Sequence, residues 1–299
     1  MSDAAASPPA APAPLAPAPV SLAAPSAWTR ATRSGGLLLG VVLVAAMILI
    51  AAFAAKVAPY DPDDQDVILN LVGPSAEHWF GTDAFGRDVL SRVIWGARIS
   101  LFVGFVATLA GVVIGTVIGV VSGYYGGAID KAITAATDVL LSFPQLIMGL
   151  MLVAVLGPNL RNLILAIAVT AIPAFIRVAR GSTLAMKERD FVDACRALGY
   201  GDLRIMFLHV LPNIMDEVVV MASLWLATAI RTESTLAFIG LGVPPPTATW
   251  GGIVREGFDN LLDAWWLSVF PSLAILLVMI ALNLIGDGLR DATDPRAPQ

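Results

Sequence analysis

Lys187-Glu188-Arg189-Asp190-Phe191-Val192-Asp193-Ala194-Cys195-Arg196-Ala197-Leu198-Gly199-Tyr200-Gly201-Asp202, continuing through Leu211-Pro212-Asn213 to Glu217, is a polar island between two strongly apolar segments. Phe191, Ala194, Cys195 and Leu198 recur at i, i+3, i+4 and i+7, which makes one face of a short helix apolar and leaves Arg189, Asp193 and Arg196 off that stripe. Gly199 stands where a left-handed cap stops a helix. Asp202 is placed to cap a second helix carrying Leu203, Ile205, Met206 and Leu208, with Pro212 at its end. The sequence therefore predicts helix, turn, helix. An apolar stripe on such a hairpin fits a partner's groove, and fully burying Phe191 and Leu198 contributes about 1.5–3 kcal/mol each before association costs. The competing reading is an amphipathic helix resting on lipid headgroups. A DNA-reading helix pair is disfavoured because the hairpin is fixed between apolar spans.

Composition places that island. The chain has 299 residues, 57% of them hydrophobic and only 14% charged, with mean hydropathy +0.79, the profile of an all-α polytopic membrane protein. One cysteine excludes an internal disulfide, and two distant histidines, His78 and His209, offer no metal-ligating cluster. Residues 1–34 are rich in Ala, Pro and Ser and read as a disordered cytoplasmic tail that stays attached. Arg30 and Arg33 stand before a first span expected at Gly36–Ala55, within a segment 35–56 long enough for a hydrocarbon layer of about 30 Å. A loop over 57–98 follows, and with Lys56 it carries seven acids against four bases, which suits the outer face.

Five further spans are expected within 99–289, with a polar loop at 186–213 and a short cytoplasmic tail at 290–299. The second, about Ile99 to Gly123, contains Gly111, Gly115, Gly119 and Gly123, a four-residue ladder that bares one helix face for close packing, with Gly104 two turns before it. The third, about Ile133 to Leu156, has a kink expected at Pro144, and Asp138 reads as a capping or interfacial carboxylate. The fourth runs from about Leu163 to Val178. Six basic residues, Arg177, Arg180, Lys187, Arg189, Arg196 and Arg204, lie between it and the next span, which turns that loop toward the cytoplasm and both termini with it. The fifth is expected to start at Asn213 with Asp216 and Glu217 in its first turn. It carries Arg231 and Glu233 near its outer end, read either as interfacial charges or as a polar outer gate of a pathway. Trp250, Trp265 and Trp266 read as interfacial anchors before the sixth span, Val269 to Ile285.

Three stretches carry a family resemblance. Asp193-Ala194-Cys195, three residues, Gly199 and then Leu211-Pro212 resemble the "EAA, x3, G, x9, I-x-LP" loop of bacterial ABC-transporter permease subunits, with Asp193 for Glu, Cys195 for the second Ala and His209 at the usual Ile position. His78-Trp79-Phe80-Gly81-Thr82-Asp83-Ala84-Phe85-Gly86-Arg87-Asp88-Val89-Leu90-Ser91-Arg92 resembles the outer motif of the C-type subunits of dipeptide, oligopeptide and nickel importers. From the residues alone, Gly81 and Gly86 permit turns, while Arg87, Asp88 and Arg92 are placed to pair at the membrane surface; Asp83 and Asp88 lack calcium-loop spacing. Glu233-Ser234-Thr235-Leu236-Ala237-Phe238-Ile239-Gly240-Leu241-Gly242, running on to Pro244-Pro245-Pro246 and Trp250-Gly251, is similar to a third segment of the same importers. The likeness reaches from about Asp61 to Arg296.

That resemblance implies a six-span type I importer permease of the bacterial inner membrane, forming half of a translocation pathway. It implies a second homologous permease subunit, two ATP-binding subunits, an external solute-binding protein, and a coupling role for Phe191, Asp193, Ala194, Cys195, Leu198, Gly199, Leu211 and Pro212. Di- or oligopeptides are the expected cargo, with nickel or another small solute as the alternative. The chain has no G-x4-G-K-[ST] loop, so ATP and Mg are expected in the partners and no cofactor, metal or nucleic acid on this chain. No catalytic constellation is evident, and a proton-coupled secondary transporter, the alternative from another class, would need more buried acids and an inverted repeat.

Overall fold

A computed structural model describes residues 35–293. The Ala/Pro-rich tail with Arg30 and Arg33, and the final residues with Asp294, Pro295 and Arg296, lie outside the described residues. Among the described residues, nine helices of eight residues or more follow in chain order: α1 Gly35–Ala52, α2 Val89–Tyr125, α3 Gly127–Ser142, α4 Gln145–Leu156, α5 Leu160–Lys187, α6 Asp190–Ala197, α7 Asp202–Phe238, α8 Trp250–Asp259 and α9 Trp266–Thr293. Five are long and apolar enough to cross a membrane, and α3 with α4, bent by 89° at their junction, bring the count to six when the pair is taken as one span. The kink expected at Pro144 is thus a full break. Pro144 becomes the N-cap of α4, because a proline cannot donate to the preceding turn and drives Phe143 to extended backbone.

The glycine ladder is the central seam. A Cβ on Gly111 would lie 2.5 Å from Ala171 Cβ, one on Gly115 would lie 2.6 Å from Phe175 Cβ and 2.7 Å from Ile172 O, and one on Gly119 would lie 2.6 Å from Ile176 O. Bare backbone on α2 therefore lets α5 approach to a distance no side chain permits, which maximises dispersion contacts where lipid supplies no hydrophobic drive. Gly104 receives Ile230 of α7 in the same way. The first span, α1, is mostly exposed and rests along α9, where Gly40 faces the Ala281 carbonyl and Gly288 faces Leu37.

Several boundaries differ from the sequence expectation. Helix α2 starts at Val89, ten residues inside the expected loop, because Asp88 caps it by accepting from Ser91 N and Ser91 and Arg92 are buried by partners from other segments. Helix α5 runs on to Lys187, so Arg177, Arg180 and Lys187 lie on a helix instead of in a loop. Pro212 does not end a second short helix. The chain runs from Asp202 through a π-helical turn, Ile205–Val210, straight into Leu211–Phe238, and the wide turn accommodates the missing N–H of Pro212. Asp216 and Glu217 consequently sit well inside α7, without the helix-terminal placement expected of them.

Gly115→Ala is expected to lower stability by about 1–3 kcal/mol by overpacking the seam. Gly181→Ala, on α5 with nothing within 4 Å of the added atom, should instead stabilise by roughly 0.5–1 kcal/mol. Thermal unfolding in detergent reads both, and equal effects would contradict the seam.

Candidate functional site

The polar island forms a bracket at one end of the bundle. Eight residues, Asp190–Ala197, make α6, with Asp190 and Asp193 in its first turn and Arg196 in its last, each matched to the helix dipole. Gly199 adopts φ +76°, and Tyr200 N donates to Cys195 O at 3.1 Å, the left-handed stop expected of that glycine. The back of α6 is Val192 and Cys195, buried with Val120 and Tyr124 of α2, Ala179 of α5 and Ile205, Met206, Val210 and Ile214 of α7. Its front carries Phe191 at 38% and Leu198 at 71% exposure, with Ala194 exposed between them.

The expected four-residue stripe is therefore divided. Cys195 faces inward and belongs to the anchor, while Phe191, Ala194 and Leu198 remain free. Val192 is the residue the stripe missed, since it stands one position and about 100° from Phe191. Leu211 is half-buried against the anchor cluster and Pro212 is exposed on α7.

Polar contacts fix the bracket's orientation. Asp193 pairs with Arg196 at 2.9 Å on the exposed side. The Tyr124 hydroxyl, and after it Asp193, hold the Arg196 guanidinium above its ordinary range, so its charge persists at every physiological pH. Asp202, expected as a helix cap, instead accepts from Tyr124 Oη at 2.9 Å, tying the start of α7 to the end of α2; the cap position falls to Gly201. Tyr200 stacks on His209 with centroids 5.7 Å apart, and Arg204 lies 4.3 Å over the Tyr200 ring.

At the opposite end, the outer motif is a buried clasp. Asp83 is fully buried and accepts from Phe85 N, Arg87 N and Arg87 Nε at 2.8, 3.0 and 2.7 Å, and from Arg92 Nη1. Glu256 of α8 takes both terminal nitrogens of Arg92 at 3.0 Å and lies 3.5 Å from Arg87 Nη2. Asp88 accepts from Ser91 N and Oγ, with His78 Nδ1 3.0 Å from its other oxygen. Arg87, Asp88 and Arg92 are expected from the sequence to pair with one another at the surface, yet all three are buried, and the two arginines pair with the buried Asp83 and with Glu256 instead.

Gly81 and Gly86 both adopt φ +73°, and a side chain on Gly86 would meet the Asp66 carbonyl. Thr82 O receives Trp266 Nε1 at 3.0 Å and its Oγ1 accepts from Val72 N at 2.9 Å. Trp266 and Trp250 are accordingly buried wedges, Trp250 donating to Val93 O at 3.0 Å, and Trp265 alone of the three has the exposure of an anchor. Glu256 had no signal in the sequence, because its partner Arg92 lies 164 residues away.

Arg231 and Glu233 separate. Arg231 is exposed and lines a cavity of about 220 Å³ with Ser234, Thr235, Phe238, Gly251 and Ser272. Glu233 is fully buried, accepting from Ser234 Oγ at 3.2 Å beside Ser100 of α2, so it faces protein and does not line an open gate. Among the described residues, no group of three His, Cys, Asp or Glu side chains converges as a metal site.

The family of binding-protein-dependent transport system inner membrane components matches residues 115–298, and the N-terminal transmembrane domain of oligopeptide transport permease C matches residues 26–74. The glutathione transport system permease protein GsiD of Escherichia coli O157:H7 is 42% identical over 272 residues, covering 90% of this chain and 89% of that protein. Its counterpart from Shigella flexneri serotype 5b (strain 8401) is 44% identical over the same span. Among solved structures, a chain of the inward-facing MetNI methionine ABC transporter has a TM-score of 0.56 at 18% identity, covering 68% of this chain and 97% of its own, a likeness of fold.

Asp83→Ala leaves two buried guanidinium groups without their shared carboxylate and is expected to cost about 3–5 kcal/mol. Asp64→Ala, at an exposed position of the same loop, should stay within about 0.5 kcal/mol. Thermal unfolding distinguishes them, and a neutral Asp83→Ala would contradict the clasp.

Proposed function

The chain belongs to the binding-protein-dependent transport system inner membrane component family, as a permease subunit of an ABC importer, and from that membership we propose how it couples and what it carries. Phe191, Ala194 and Leu198 seat in a cleft of a separate ATP-hydrolysing subunit on the cytoplasmic side, while Val192 and Cys195 transmit the movement into α2, α5 and α7. Two such ATPase subunits, a second homologous permease and an external solute-binding protein complete the importer. Nucleotide and Mg reside in the ATPases. The outer clasp faces the binding protein's side, and both termini lie in the cytoplasm.

One observation carries this reading: an eight-residue helix whose back is built into the bundle and whose front exposes apolar side chains. A helix merely resting on lipid needs no such rivet between three spans. Closure of the ATPases would displace α6 and, through the packed cluster, tilt α5 and α7 as rigid bodies. The cargo is a di- or oligopeptide. The support is that the relatives are named for glutathione, itself a tripeptide, and that one matching family is named for oligopeptide transport.

Leu198→Asp is expected to leave membrane insertion intact while ATPase stimulation and uptake fall together by about tenfold or more, matching the roughly 1.5–3 kcal/mol carried by a buried leucine. Reconstitution with the co-purified partners measures both, and normal uptake in that variant would overturn the coupling role. A thermal shift of the co-purified binding protein with short peptides tests the cargo, and a shift with nickel alone would contradict it.

A further inference from the structure

The bent pair α3–α4 passes length and composition for one broken span, and its halves are held at different levels of the bundle. Asp130 of α3 accepts from Arg180 Nη2 at 2.7 Å and Ser122 Oγ at 2.6 Å, at the bracket end of α5 and α2. Val153 of α4 packs instead with Val103, Leu163, Ala229 and Leu236, toward the clasp end. The break at Ser142–Phe143–Pro144 therefore falls between the bracket end and the clasp end of the bundle.

A helix break there is costly. The last carbonyls of α3 and the first N–H groups of α4 lose their helical partners. Local bonds recover little: Phe143 N reaches Leu140 O at 3.4 Å and Ser142 Oγ donates to Val139 O at 2.7 Å. Ser142, Phe143 and Pro144 are all exposed. Within a bilayer, non-helical backbone persists only inside protein or along a water-filled cavity.

An independent observation marks the same face. Asp138, four residues before Ser142 and hence on its side of α3, pairs with Arg177 of α5 at 2.9 Å, with the two side chains 58% and 63% exposed. Ionised side chains on spans turn away from lipid toward water or partners. The exposed residues of α1, such as Leu38, Leu39, Val42 and Leu49, are purely apolar, whereas the face at the break sets Asp138 and Ser142 among exposed Val139, Leu141, Phe143 and Ile147.

We propose that Asp138, Arg177 and the Ser142–Pro144 break form this chain's wall of the water-filled translocation pathway, and that the wall takes solutes carrying both an ammonium and a carboxylate. Arg177 and Asp138 offer the two counter-charges and the broken backbone offers hydrogen-bonding groups between the two ends of the bundle. The proposal rests on the importer reading above.

The test uses the complete importer in membrane vesicles with Ser142→Cys, Phe143→Cys and a lipid-face control, Leu39→Cys. The native Cys195 is buried, so the unsubstituted chain sets the background. A charged, water-soluble thiosulfonate should modify positions 142 and 143 roughly a hundredfold faster than position 39, since only a hydrated thiol forms the reactive thiolate. A transported zwitterionic peptide should slow that modification. Rates equal to the control at both positions, or cross-linking to the second permease without labelling, would overturn the wall, and labelling without peptide protection would overturn the solute contact. ATP-driven uptake measured in the unsubstituted vesicles separates these failures from failure of the importer reading, which would show as no uptake at all.

Discussion

Hydrocarbon offers no hydrogen bonds, so every charge and every backbone group in a spanning segment needs a partner from the protein or from enclosed water. That constraint orders this chain. Its ion pairs gather at two levels, the Asp83, Arg87, Arg92 and Glu256 clasp at one end and the Asp130–Arg180 pair near the other. Between them the spans are joined by apolar packing and by glycine backbone pressed against α5. The exceptions are few, and Glu233, Asp138 and the break at Pro144 each mark a place where the packed bundle must supply what lipid cannot.

Rigidity follows from the same arrangement. The bracket helix is short and would be marginal alone, since isolated helices under about 12–15 residues rarely persist in water. It holds its shape because Val192 and Cys195 are sunk among α2, α5 and α7, and because Tyr124 ties α2 to Asp202. A push on its front face therefore reaches three spans at once. The α2–α5 seam has no soft side chain to absorb that push, so the pair moves together.

Much of this was legible in the sequence because it depends on local pattern. The Gly111–Gly123 ladder and the left-handed Gly199 each follow from spacing within a few turns, and five of the six expected crossings from their long apolar runs. The facing of α6 was harder, because a stripe of four apolar residues does not say which half the bundle claims, and Val192 settled it from an adjacent position. The clasp was misjudged as surface chemistry since Glu256 and Trp266 arrive from the far end of the chain. Pro212 was misread for a different reason: a proline usually stops a helix, and a π-helical turn that tolerates it leaves no trace in local composition.

The central claim is that bracket and clasp lie on opposite sides of the membrane, with the exposed front of α6 in the cytoplasm. Cysteines introduced one at a time at Leu198 and Phe85, both exposed, with the unsubstituted chain and its buried Cys195 as background, test it with a membrane-impermeant maleimide on intact and permeabilised cells. The account predicts labelling of Phe85→Cys in intact, outer-membrane-permeable cells and of Leu198→Cys only once the inner membrane is opened. Labelling of Leu198→Cys in intact cells would contradict it.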